Sequence, residues 1–205
     1  MDRSEQIRQE GNRIMEPMLW NSMVDLLAAF KREEDKHLRK LQDALQNLII
    51  LTVKQQQEET KGAVHFLGIC YCKSSIYTRN FELKLDFYAK EFYLDEEESS
   101  VYWNPDFLTN YLISDIAYFE KKIRQCVPRV RPFEIQQYLT GYMNNYMHIL
   151  EEFLKQRLPE VLDQLSFKEL QVEDKIMIFF GEYMGRFSVL QDMVIEAEGK
   201  KDEVF

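Results

Sequence analysis

Residues 63–95 read AVHFLGICYCKSSIYTRNFELKLDFYAKEFYLD, and their rhythm decides the fold. Phe81, Leu83, Leu85 and Phe87 alternate with Glu82, Lys84 and Asp86, the period-two pattern of a strand with one apolar face. This predicts that the first set faces a core and the second faces solvent or a partner. Ahead of it, Ala63 to Cys72 is a near-continuous apolar run, the pattern of a strand covered on both sides. Phe92 to Leu94 can return as a third short strand before the acidic loop Asp95 to Glu98. No crossover helix separates these runs, so an antiparallel meander is expected.

On both sides of this block the apolar spacing is helical. Before it, Trp20, Met23, Leu27 and Phe30 continue in register to Leu41, Ala44, Leu48 and Leu51, the stripe of one long helix or two consecutive ones. That register puts Glu34 and His37 at core positions, so the polar run Lys31 to Lys40 exposes the turn, breaks the helix or buries two polar groups. Gly62 is placed to end the segment as a C′ glycine.

After the block, Asn104 and Pro105 read as an N-cap with proline at N1. The helix they open carries Leu108, Leu112, Phe119 and Ile123 and stops at Val127 and Pro128. Pro132 opens the next, with the stripe Ile135, Tyr138, Tyr142, Tyr146, Ile149 and Phe153 and a kink or break at Pro159. Ser166 with Glu169 forms a capping-box pattern. Val172, Ile176, Phe179, Phe180, Tyr183, Phe187, Leu190 and Val194 predict a last helix to about Glu198, ended by Gly199. Gly181 and Gly185 would let that helix approach a neighbour closely.

The expected class is therefore α+β and predominantly helical. A small antiparallel meander over about residues 63–95 is inserted between an N-terminal helical segment, 1–62, and three or more C-terminal helices. The strand block reaches residue 102, the C-terminal helices occupy 103–205, and one domain spans 1–205. The chain has 205 residues, 45% of them hydrophobic and 13% aromatic, enough for a sizeable core. Seven glycines and five prolines leave little material for phosphate-cradling loops or linkers.

A net charge of −9 and a pI near 5.0 repel nucleic acid and anionic membranes. The exception is local: residues 103–158 carry seven cations against six carboxylates. Lys121, Lys122, Arg124, Arg129 and Arg131 gather there, at a helix end and the connector after it. Cations at a helix C-terminus complement its dipole. They also form a possible contact for an anion, an acidic peptide or nucleic acid.

Cys70, Cys72 and Cys126 are odd in number and wrongly spaced for a disulfide framework, which points to a reducing compartment. A charged N-terminus without an apolar core, and no run of about 20 apolar residues, lead to the expectation of a soluble cytoplasmic protein with no membrane contact.

Catalytic motifs are missing. No Gly-x-Ser-x-Gly, Walker loop, Gly-x-Gly-x-x-Gly or His-Glu-x-x-His occurs in the sequence. Glu34 to His37 has the Glu-x-x-His spacing of dimetal carboxylate bundles, but one such pair is half a site. His148 offers only the reversed arrangement with Glu151. No metal, cofactor or assignable catalytic residue is expected, and Glu34, His37 and His148 are the best candidates if chemistry exists. These readings favour a non-enzymatic protein-interaction or regulatory module that works through a groove or sheet edge, with self-association as one form. The alternatives are a nucleic-acid or nucleotide-associated factor using the basic cluster, and an enzyme without a recognisable motif.

Overall fold

The computed structural model describes residues 2–194. Its element order is α1 (Arg3–Arg32), α2 (Glu34–Gln57), β1 (Val64–Tyr71), α3 (Ser75–Thr78), β2 (Leu83–Tyr88), β3 (Ser99–Trp103), α4 (Asp106–Cys126), α5 (Pro132–Asp163), β4 (Val172–Glu182) and β5 (Phe187–Val194). The class is α+β, mostly helical, with a five-stranded mixed sheet in the order β3-β2-β1-β4-β5. β1, β2 and β3 pair antiparallel in chain order, but the third strand is Ser99–Trp103 and not the expected Phe92–Leu94. The three are not a self-contained insert, because β4 pairs in parallel with β1 and β5 extends the sheet antiparallel to β4.

The predicted last helix is a hairpin instead. Its apolar residues satisfied a helical spacing, yet Ile176, Ile178 and Phe180 also alternate, and all three are buried. β-Branched and aromatic residues favour the extended form once a neighbouring strand is available. Gly181 does permit a close approach, but by a strand: a Cβ there would lie 2.4 Å from the Phe187 Cα and from the Arg186 carbonyl oxygen. Gly185 lies in the turn, beside Met184 at φ 54°. The expected end of that helix, from residue 195 through Glu198 and Gly199, lies outside the described residues.

One face of the sheet packs on the helices. Leu83, Leu85 and Phe87 point into a core shared with Leu41, Leu48, Leu112, Phe119, Leu139 and Leu150. Leu83 is fully buried, and Leu83→Ala is expected to cost about 2 to 5 kcal/mol in urea unfolding.

The opposite face corrects the sequence reading. Glu82 is exposed, but Lys84 and Asp86 are buried, although the alternation holds. Residues Phe92–Leu94 form a 3₁₀ turn rather than a strand, and it roofs this face. Phe92 and Tyr93 pack with Tyr183 over Cys70, Tyr88 and Phe179. Beneath the roof Lys84 Nζ contacts Asp86 Oδ2 at 2.5 Å and Glu98 Oε1 at 2.7 Å, and lies 4.7 Å from the Tyr183 ring centroid. Lys61 Nζ bonds Asp95 Oδ2 and the Glu97 carbonyl, both at 2.8 Å. The run read as an acidic loop is thus partly neutralised from below, and the true third strand comes after it.

The helices also depart from the expected boundaries. α1 and α2 are separate, with the break at Glu33. α1 is rotated from its predicted register: Ile7, Gly11, Met15, Ser22, Leu26 and Phe30 face inward, whereas Trp20 and Leu27 are exposed. α2 ends at Gln57, so Gly62 is not its C′ residue. Gln56 fastens the exit instead: its Nε2 donates to the Gly62 and Gln171 carbonyls, and its Oε1 accepts from the Gln171 N–H. α4 begins one residue later than expected, with Pro105 as the N-cap residue. Pro132 opens α5 as expected, and α5 runs through Pro159 to Asp163. Ser166 and Glu169 open no helix among the described residues.

Candidate functional site

The basic cluster and a groove occupy the same end of the protein. Gly11 on α1 lets the Tyr138 ring of α5 close in, since a Cβ there would lie 2.3 Å from Tyr138 Cε2. The Tyr138 ring stacks on Phe119 at 4.6 Å between centroids, and its hydroxyl donates to Asn12 Oδ1 at 3.2 Å. One turn along α5, Gly141 has the opposite effect. A Cβ at that position would meet nothing within 4 Å, and the helices leave a groove of about 560 Å³. Ile7, Phe133, Tyr138 and Tyr142 supply apolar wall; Asn12, Gln137 and Asn145 supply amides.

Because that space is open and glycine is costly inside a helix, Gly141→Ala is expected to raise stability by about 0.5 to 1 kcal/mol. Paired thermal and urea melts would measure it.

At the mouth of the groove, Arg3 ties three elements together. Its Nη2 donates to the Pro128 carbonyl at 3.0 Å and its Nε to Glu134 Oε1 at 3.1 Å. Glu134 Oε2 accepts from the Arg131 N–H at 2.7 Å. That backbone hydrogen bond, with Arg3 next, holds the Glu134 carboxyl below its ordinary range. The connector bearing Arg129 and Arg131 is therefore fixed beside Phe133 and Glu134.

Lys121, Arg124, Arg129 and Arg131 are exposed, and Lys122 is half-buried with its Nζ 5.7 Å from the Tyr118 ring centroid. None of the five has an ion-pair partner among the described residues. Arg8, Arg13 and Arg79 pair with Glu5, Glu10 and Glu120, whereas Lys31, Arg32, Arg39 and Arg186 are exposed without an ion-pair partner among the described residues, so it is the clustering that sets the five apart. The structure thus brings all five cations to the region where α4 hands over to α5.

The floor of the groove reaches a buried carboxylate that the sequence reading did not single out. Tyr142 lines the groove and donates its hydroxyl to Asp115 Oδ2 at 2.5 Å. Tyr146 donates to the same oxygen at 2.7 Å, and Ser22 Oγ to Oδ1 at 2.8 Å. A signal existed: Asp115 stands in the core register of Leu108, Leu112 and Phe119, where a carboxylate requires partners. Of the α5 tyrosine stripe, Tyr142 and Tyr146 are buried, while Tyr138 is half-buried in the groove wall.

Glu34, His37 and His148 are not brought together. Glu34 pairs with Arg157. His37 is buried against Phe30 and Phe107, with Nδ1 3.3 Å from Asp106 Oδ1. His148 is exposed on α5, 3.9 Å from Glu151. Among the described residues no three His, Cys, Asp or Glu side chains are grouped so as to hold a metal ion, and no helix is long and apolar enough to cross a membrane. Cys70 is buried, and its thiol is pushed up to about 12 by burial; Cys72 is half-buried and Cys126 exposed, all three free. Comparison with family models, curated proteins and solved structures finds no match to this chain.

Proposed function

We propose that the protein is a non-enzymatic interaction module of the cytoplasm whose α1–α5 groove and basic end take up an acidic, amphipathic segment of a partner protein. The observation that carries this reading is five clustered cations without ion-pair partners among the described residues, Lys121, Lys122, Arg124, Arg129 and Arg131, on the end of α4 and the connector that leads into the Phe133 and Glu134 wall of an open groove. In a chain of net charge −9, cations left uncompensated at one end create a local field that favours an acidic ligand. The groove supplies apolar area, and its amides can orient a backbone.

The test is affinity purification from the native cell with two variants beside the wild type. One reverses Lys121, Arg124 and Arg129 to Glu; the other fills the groove by Gly141→Phe. A partner retained by wild type and lost from both variants, each still unfolding cooperatively, is the expected result. A captured set indifferent to both variants would refute the reading.

The same cations favour a second reading, a nucleic-acid-associated factor. Binding would then weaken steeply with salt and vanish on charge reversal. Titration of duplex and single strands at two salt concentrations decides it, and absence of binding at low salt removes it.

A further inference from the structure

α1 has a second apolar stripe, on the side away from the core. Trp20, Val24 and Leu27 are 73%, 53% and 56% exposed, and their spacing of four and three aligns them along one line of the helix. Charge flanks this line at both ends, with Glu16 before it and Lys31 after it. Both are exposed, and neither forms an ion pair among the described residues. The stripe lies beyond the part of α1 that lines the groove, so its role does not depend on the groove or on the basic end.

We propose that this stripe pairs, antiparallel, with the same stripe of a second copy, about a two-fold axis passing beside Val24. At a turn of 3.6 residues, Glu16, Trp20, Leu27 and Lys31 fall on one flank of Val24, while Asn21 and Ala28 fall on the other. A two-fold axis perpendicular to the helices keeps each flank on its own side and reverses chain direction. Val24 then meets Val24 of the second copy, each Trp20 meets a Leu27, and each Glu16 meets a Lys31. The match is self-complementary in both shape and charge, as an isologous contact requires. A parallel pairing would set Glu16 against Glu16 and Lys31 against Lys31, so the charges select the antiparallel arrangement. Trp20 provides the large anchor on which such contacts depend. One helical stripe is smaller than the roughly 800 Å² per partner of a standard stable interface, which sets a weak, concentration-dependent equilibrium.

Sedimentation velocity over a concentration series tests this in the full chain. Wild type should show a reversible monomer–dimer equilibrium in the micromolar range. Trp20→Ser, a change at an exposed site, should weaken it about tenfold or more with an unchanged circular dichroism spectrum. Glu16→Lys and Lys31→Glu should each weaken it, and the two together should restore it. Val24→Cys, in a Cys72→Ser, Cys126→Ser background, should form an intermolecular disulfide on mild oxidation, and Phe133→Cys in that background should not. A wild-type monomer at every concentration, a dimer indifferent to Trp20→Ser, or single charge changes not rescued by the double change would each overturn the proposal.

Discussion

Replacing Asp115 by alanine is expected to lower stability by about 3 to 5 kcal/mol, one of the two largest effects foreseen for a single substitution in this chain. Asp115 is 1% exposed and accepts from three hydroxyls, those of Ser22, Tyr142 and Tyr146. Hydrogen bonds to a charged acceptor contribute about 1.5 to 3 kcal/mol each. Alanine removes the acceptor and leaves three buried donors unsatisfied. Asp115→Asn is not a conservative control, because its amide nitrogen presents donors to donors. Ser22→Ala and Tyr146→Phe each remove one donor, so each should cost about 1 to 2 kcal/mol. Urea unfolding of the four variants gives the comparison.

The same network gives the fold an alkaline limit. Burial, and then the bond to Asp115, raise the Tyr142 and Tyr146 phenols far above their ordinary value of 10. Above that value the unfolded chain releases protons that the folded chain retains. The tyrosines' contribution is therefore complete below pH 10 and is lost progressively as pH rises.

The second large effect is expected at Lys84. Lys84→Met should cost about 3 to 5 kcal/mol at neutral pH, because it leaves Asp86 buried without its cation. Burial already outweighs the attraction of Lys84 and raises the Asp86 carboxyl above its ordinary value. Removing the cation raises it further. A carboxyl whose folded value lies above its unfolded one favours folding while protonated and loses that advantage as pH rises through the folded value. The gap between Lys84→Met and wild type should accordingly narrow as pH falls, the reverse of ordinary acid sensitivity. Adding Asp86→Leu removes the orphaned charge and should recover much of the loss at neutral pH. A gap that stays constant with pH would show that Asp86 is not the source of the cost.

How far the fold can be read from local sequence depends on the range of the forces involved. The β2 alternation, the proline at the start of α5 and the stripes of α4 and α5 are local signals, and the structure keeps them. The outer face of β2 could not be read locally, because its cover comes from Phe92 and Tyr93 and, across the sheet, from Tyr183. The 172–194 segment satisfied two periodicities at once, and its choice is made by β1, which pairs with it from far away in the chain. α1 misled for a related reason. It carries two apolar stripes, and the one with tryptophan is the more conspicuous in sequence yet the less buried. At the candidate site the cations were legible as a cluster. The groove was not, because Gly11 and Gly141 have opposite effects that depend on what faces them.

The parallel contact between β1 and β4 also sets a timetable. During synthesis β1 can pair on one side as soon as the meander is complete, but its other edge waits for a partner: residue 64 aligns with residue 172. At about 5 to 20 residues per second that wait is roughly 5 to 20 s. For its duration Leu67 and Ile69 belong to an open edge, a template for pairing with another nascent chain. A ribosome stalled in α5 would hold the molecule in that state, and chaperone occupancy should peak there and fall as β4 emerges.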